Sequence, residues 1–271
     1  MLLSRIWYYL TSLPTLLWGI KNWPFVIYSL LALDFHRRIV SLRNGCCFRF
    51  RTLMDLWIIK ETCLDRQYER ASTELENGWT ILDIGAGLGD WCICVASRYP
   101  QTVIYAYEPF PESFALLEEN LSLNGVKNVK AFPYAVSSSG GSINLYAVSQ
   151  NAVQHSTALK SDMPGMRVKS VTLDQVLSEV TQCDYLKMDC EGAEYDILFG
   201  ADDLTLQKIK RICLEYHDGV TEFSHQDLVQ FLDRKGFQVR LTPNPAWRHL
   251  GFLYGVKKTI SEAAIDECQW L

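Results

Sequence analysis

The chain has 271 residues, 48% of them hydrophobic, enough for one domain with a sizeable core plus an appendage. A net charge of −5 leaves no basic footprint for a phosphate backbone, so no nucleic-acid partner is expected. The nine cysteines form an odd set with no C-x-x-C pair, which speaks against a zinc site or a disulfide framework and for a reducing, cytoplasmic setting.

Residues 1–38 read as an apolar, aromatic, helical extension. Ile6–Ile20 and Trp23–Leu33 are uncharged, but each is shorter than the roughly 20 residues a bilayer-spanning helix needs, and Pro14 and Pro24 interrupt them. Trp7, Trp18, Trp23 and Tyr28, with Arg5 and Lys21, suit a membrane interface. The expected partner of residues 1–35 is therefore a membrane surface contacted peripherally, the alternative being packing on the domain or on a second copy in a homodimer.

Residues 39–76 lead into the main domain. Ile39–Leu42 and Cys47–Arg51 read as a strand pair around Arg43-Asn44-Gly45. Asp55–Glu76 has helical spacing, and Asn77-Gly78 reads as its stop.

From 77 to 258 strands and helices alternate, which predicts an α/β domain: a doubly wound, Rossmann-like, mostly parallel sheet. Thr80–Ile84 is the first strand. It runs into Gly85-Ala86-Gly87-Leu88-Gly89 and a helix from about Asp90. A dinucleotide site wants G-x-G-x-x-G, and Asp90 stands where the third glycine belongs. With Asp83 just upstream, two carboxylates suit a positively charged ligand better than a pyrophosphate. Val103–Tyr107 is a second strand ending in Glu108, an acid placed to accept ribose hydroxyls.

Pro109–Asn124 reads as a helix, Val129–Val136 as the third strand and Ser142–Val148 as a hairpin strand. Gln150–Met166, which contains His155, has no clear period and reads as a mobile flap. Thr172–Val180 is a capped helix. Cys183–Met188 and Ile209–Tyr216 are the fourth and fifth strands; Asp189 and Glu191 follow the fourth, and the fifth closes on Glu215 and His217. After a helix over Ser224–Lys235, Phe237–Leu241 and Gly251–Lys257 form an edge pair, and 259–271 is a tail.

In an open α/β sheet, ligands bind beyond the carboxyl ends of the strands. Those ends present Asp83, Glu108, Tyr134–Val136, Asp189 with Glu191, and Glu215 with His217. A single terminal acid is ordinarily a helix cap; several converging ones suggest a site. These acids offer metal ligands, but Glu191 and Glu194 straddle a helix start, where acids are favoured anyway, and no metal is expected.

Four runs carry a family resemblance: Asp83-Ile84-Gly85-Ala86-Gly87-Leu88-Gly89, Ala106-Tyr107-Glu108-Pro109-Phe110-Pro111, Leu186-Lys187-Met188-Asp189-Cys190-Glu191-Gly192-Ala193-Glu194, and Glu215-Tyr216-His217. Together they resemble the FkbM family of class I methyltransferases, over about Asp55 to Lys257. The resemblance implies S-adenosylmethionine as cofactor and O-methylation of a sugar, glycolipid or related small molecule. It puts Asp83, Gly85, Ala86, Gly87, Glu108, Phe110, Tyr134, Ala135 and Asp189 at the cofactor. Phe110 stands where the family commonly has Asn, and the third strand lacks the acid many class I enzymes use for adenine, so stacking by Phe110 and backbone groups near Tyr134 are the expected substitutes. His217 is the expected general base because imidazole titrates near neutrality, with Asp189, Glu191 and Glu215 as its alternatives or supports. Rival readings are an RNA or protein methyltransferase, and a catalytically inactive scaffold working through the N-terminal arm.

Overall fold

The computed structural model describes residues 12–31, 38–147, 155–156 and 165–260. Helices α1 (12–19) and α2 (Trp23–Leu31) precede an antiparallel pair, β1 (Ile39–Ser41) and β2 (Cys47–Arg49). Gly45, at φ 99°, turns the chain between these strands. The expected single helix over Asp55–Glu76 is corrected to three pieces: α3 (Leu53–Ile59), a π-helical turn (Lys60–Leu64) and α4 (Gln67–Ala71). Thr52 caps α3 in a reciprocal box with Asp55. Arg66 at φ 55° ends the first stretch, and Lys60, buried against Asp65 and Ser12, holds the turn in place. Asn77-Gly78 is then a bend before the first core strand and stops no helix.

The core alternates as its pattern dictates: β3 (Thr80–Ile84), α5 (Asp90–Arg98), β4 (Val103–Tyr107), α6 (Pro111–Leu123) and β5 (Val129–Phe132). The expected strand Val129–Val136 breaks at Pro133, which has no N–H to donate; its second half, β6 (Ala135–Val136), joins another sheet. That small sheet has the order β6-β9-β7-β8, with β7 (Gly141–Ala147), β8 (His155–Ser156) and β9 (Met166–Val171). The rest of the expected flap, 150–154 and 157–164, lies outside the described residues, as does most of the 259–271 tail. The chain continues with α7 (Leu173–Ser178), β10 (Tyr185–Met188), α8 (Glu194–Phe199), α9 (Asp203–Gln207), β11 (Arg211–His217), α10 (His225–Arg234), β12 (Phe237–Pro243) and β13 (Leu250–Lys257).

The main sheet has seven strands in the order β12-β13-β11-β10-β3-β4-β5. From β11 to β5 the strands are parallel, while β13 runs antiparallel to both its neighbours. This is the doubly wound, mostly parallel α/β sheet that the alternation predicts. Successive strand residues feed opposite layers. Ile81, Tyr185 and Cys213 pack with α3, α5 and α6, whereas Leu82, Leu186 and Ile212 pack with α7, α8 and α10. Burial on both faces is why these strands read as unbroken apolar runs. The strand order reverses between β3 and β10, which leaves a crevice at their carboxyl ends.

No helix among the described residues is long and apolar enough to cross a membrane. The two N-terminal helices nonetheless present Leu17, Trp18 (80% exposed), Ile27, Tyr28 (67%) and Leu31 to solvent. All eight described cysteines are free thiols.

Candidate active site

A cavity of about 470 Å³ opens at the strand-order reversal. Its floor is made by the ends of β3, β4, β10 and β11. The α3–α4 segment closes one side with Trp57, Glu61 and Tyr68, and the β12–β13 turn closes the other with Trp247 and His249.

The β3 end is built of backbone. Gly85 sits at φ 78°, and a Cβ there would lie 1.9 Å from the carbonyl oxygen of Asp189, so only glycine lets the turn cross β10. Gly89, at φ 86°, allows α5 to pack against α6, since a Cβ would meet Leu117 at 2.4 Å. Behind the turn, Lys187 Nζ lies 2.9 Å from Asp83 and donates to the Gly85 carbonyl at 2.8 Å. Burial works against the charge on Lys187, but Asp83 and Asp189 outweigh it and keep the ammonium protonated. Asp90 opens α5 with its carboxyl on the wall, and burial pushes its pKa up to about 6.

Glu108 ends β4 and is almost fully buried. Its carboxylate accepts the Gly87 N–H at 2.8 Å and the Phe110 N–H at 2.9 Å, which clamps the turn to β4. Burial pushes its pKa up to about 7, against those two donors.

Side chains dominate the β10–β11 end. Asp189 accepts the Tyr68 hydroxyl at 2.8 Å. Glu191 has φ 52°, a left-handed backbone unusual for a residue with a Cβ, and it brings the side chain to the wall. Glu194 is fully buried and accepts the N–H groups of Cys190 (2.6 Å) and Gly192 (2.9 Å), so it holds the loop that carries Glu191. His217 stands between carboxylates, with Nε2 3.5 Å from Glu191 and Nδ1 3.5 Å from Glu194. Burial lifts Glu215 and Glu191 above the usual carboxylate range, with Asp189 adding to it and His217 opposing.

The match to known proteins follows this geometry. The methyltransferase FkbM domain matches residues 83–239, more than half of the chain. The chain belongs to the FkbM family of methyltransferases. It is 29% identical over 216 residues to Methyltransferase 1 of Beauveria bassiana, covering 70% of this chain and 84% of that one. It is 23% identical over 220 residues to the 31-O-demethyl-FK506 methyltransferase FkbM of Streptomyces tacrolimicus, covering 70% and 84%. With the AMB antimetabolite synthetase AmbE of Pseudomonas aeruginosa it shares 27% identity over 257 residues, which is 79% of this chain but 12% of AmbE.

In this FkbM-family chain, Gly85, Ala86, Gly87, Glu108, Ala135, Asp189, Glu191, Glu215 and His217 share the cavity wall. Three expected cofactor residues lie off it. Asp83 is fully buried behind the glycine turn as the partner of Lys187, so it neutralises a lysine and does not line the cavity. Phe110 caps α6, and its backbone N–H, not its ring, reaches Glu108. Tyr134 stacks on Phe132 at 6.4 Å and packs half-buried against the core on the α7–α8 side of the sheet. The expectation that His217 titrates near neutrality is also corrected. Burial alone would lower its pKa, but Glu194, Glu215 and Glu191 push it well above the usual histidine value, so the free ring stays protonated at neutral pH.

Two functional-site residues escaped the sequence reading. Tyr68 reaches Asp189 across 121 positions, and no local pattern announces such a contact. Lys187 carried a signal, a lone cation inside an apolar strand, which implies a buried counter-charge.

Proposed function

We propose that the protein is an S-adenosylmethionine-dependent O-methyltransferase acting on a hydroxyl of a sugar, glycolipid or related small molecule. The observation that carries this reading is the single wall shared by the glycine turn, Glu108, Asp189 and Glu191 at the strand-order reversal. The lone pairs of Glu108 left over from its two backbone donors suit ribose hydroxyls. The acids Asp90 and Asp189 suit the ammonium and sulfonium of the cofactor. A relative whose name records an O-methyl position supports oxygen as the acceptor atom.

In the reaction the acceptor oxygen attacks the methyl carbon as the C–S bond breaks, its electron pair staying on sulfur to give the thioether. The hydroxyl proton passes to a carboxylate. Glu191 is our choice of base in place of His217. A carboxylate raised toward neutrality removes a proton better than an ordinary one, and an imidazolium cannot. Holding the oxygen in line behind the methyl supplies roughly 7–11 kcal/mol of the barrier.

The same proposal has residues 1–35 resting on a membrane surface, supported by the exposed Trp18, Tyr28 and Leu31. The test is transfer of labelled methyl from S-adenosylmethionine into a source-organism extract fractionated into lipid, glycan, RNA and protein. Label in the glycan or lipid fraction is expected. Label confined to RNA or protein gives the acceptor to the rival reading, and no label in any fraction favours an inactive scaffold.

A further inference from the structure

Asp189, Glu215 and His217 converge on the wall of the cavity. They come from two neighbouring parallel strands: Asp189 directly follows β10, and Glu215 and His217 are alternate residues of β11, so both point to one face. One ligand-capable atom from each lies within 4.8 Å of the others. Metal–ligand bonds of about 2.0–2.3 Å need these atoms drawn closer, a movement that side-chain rotation in Glu215 and Asp189 can supply.

His217 provides the second, independent observation. Its side chain is only 9% exposed and lies on the cavity wall, where Nδ1 is buried without a hydrogen-bond partner and Nε2 stands 3.5 Å from Glu191. An ion entering at Nε2 takes the place of the ring proton there, which leaves to solvent, and meets the same carboxylates that surround the ring. Its surroundings suit ligation. Glu194, pinned by two backbone N–H groups, faces Nδ1, where a metal-bound histidine usually donates its other proton, leaving Nε2 for the ion. Asp189 has the corresponding outer partner in the Tyr68 hydroxyl. The sequence expectation of no metal rested on acids at a helix start. Glu194 does serve the loop there, but the converging set does not include it.

We propose that Asp189, Glu215 and His217 form a binding site for a divalent transition-metal ion of the Mn²⁺, Fe²⁺, Co²⁺ or Zn²⁺ class. One imidazole with two carboxylates favours these ions over Mg²⁺ or Ca²⁺, which prefer all-oxygen shells. Two carboxylates also balance the ion's charge. Binding to the site stands on the cluster alone. Its role rests on the methyl-transfer reading: the ion holds the acceptor oxygen at an open position and lowers its pKa. The proton leaves to Glu191, the oxygen takes the methyl, and the ion keeps its oxidation state.

The test is titration of Mn²⁺ into the full chain with S-adenosylhomocysteine present, followed by electron paramagnetic resonance with nitrogen hyperfine detection. One bound Mn²⁺ per chain with a directly coupled imidazole nitrogen is expected. Glu215→Gln and His217→Gln should each weaken binding by at least about 10–100-fold. No bound ion at millimolar Mn²⁺ in the wild-type chain overturns the proposal. So does a bound ion lacking nitrogen coupling, and neither result depends on whether a variant folds. Calorimetry of S-adenosylhomocysteine on the same samples separates the two readings. Cofactor bound without Mn²⁺ removes the metal site alone, and Mn²⁺ bound without cofactor removes the cofactor assignment alone.

Discussion

The two halves of the cavity are built on different terms. Over β3 and β4 the wall is mostly backbone: a glycine turn at positive φ, a helix start, and one carboxylate clamped by two N–H groups. Over β10 and β11 it is side chains: Asp189, Glu191, Glu215 and His217 crowd together, and the proton affinities of Glu191, Glu215 and His217 are raised. A backbone wall recognises what is constant in a ligand and tolerates little change. A crowded wall of acids is where a proton or a charge can move. We propose that the first half, with Asp189 beside it, takes the cofactor and that the rest of the second half does the chemistry.

The division predicts how substitutions fail. The largest effect falls on the chemical half: Glu191→Gln should lower kcat by about 10²–10⁴ with cofactor affinity held, the usual share of a general base. A Glu191→Gln enzyme with normal turnover would hand the proton to another group. Gly85→Ala breaks the backbone half instead. The new Cβ meets the Asp189 carbonyl, and left-handed strain adds to overpacking, so unfolding stability should fall by about 3 kcal/mol or more. Thermal denaturation at unchanged midpoint would show that the turn relaxes freely.

A third prediction uses the two buried acids of the backbone half. Asp90 and Glu108 have folded-state pKa values raised to about 6 and about 7. Their stabilising contribution is therefore complete below the unfolded values of 3.8 and 4.5 and is lost as pH rises through 6 and 7. The ligand-free protein should lose stability between about pH 4 and pH 7, by on the order of 3 kcal/mol for each group. Urea unfolding of Glu108→Gln should show a shallower pH dependence, and a slope equal to wild type would mean that Glu108 titrates normally. The smallest effect is expected outside both halves: Trp18→Ser with Tyr28→Ser, which changes only exposed side chains, should leave cofactor affinity unchanged while abolishing sedimentation with vesicles. Full-length protein that stays in the supernatant would remove the membrane contact.

The two halves also differed in how far they could be read beforehand. Strands β3, β4, β10 and β11 announced themselves as apolar runs closed by an acid, because burial on both faces and a polar carboxyl end are local constraints. The glycine turn was equally plain. What the pattern could not carry was the direction in which a side chain points once the chain has folded. Asp83 and Glu108 look alike as strand-end acids, yet one faces Lys187 behind the wall and the other lines it. His217 looked like an ordinary titrating base because Glu194 and Glu191 approach it from a separate loop. The bend at Arg66 that delivers Tyr68 to Asp189 interrupts a stretch whose spacing is otherwise helical. Pro133, by contrast, was a visible break in the third strand, and its lack of an N–H is sufficient reason for the split.

The most direct test of the cofactor half is calorimetric titration of S-adenosylhomocysteine and NAD into wild type and Glu108→Ala. One S-adenosylhomocysteine per chain and no measurable NAD binding are predicted for wild type. Glu108→Ala should weaken S-adenosylhomocysteine by roughly 1.5–3 kcal/mol, the worth of charge-assisted bonds to the ribose. Equal affinity in wild type and variant, or preferential binding of NAD, would contradict the assignment of this cavity to S-adenosylmethionine.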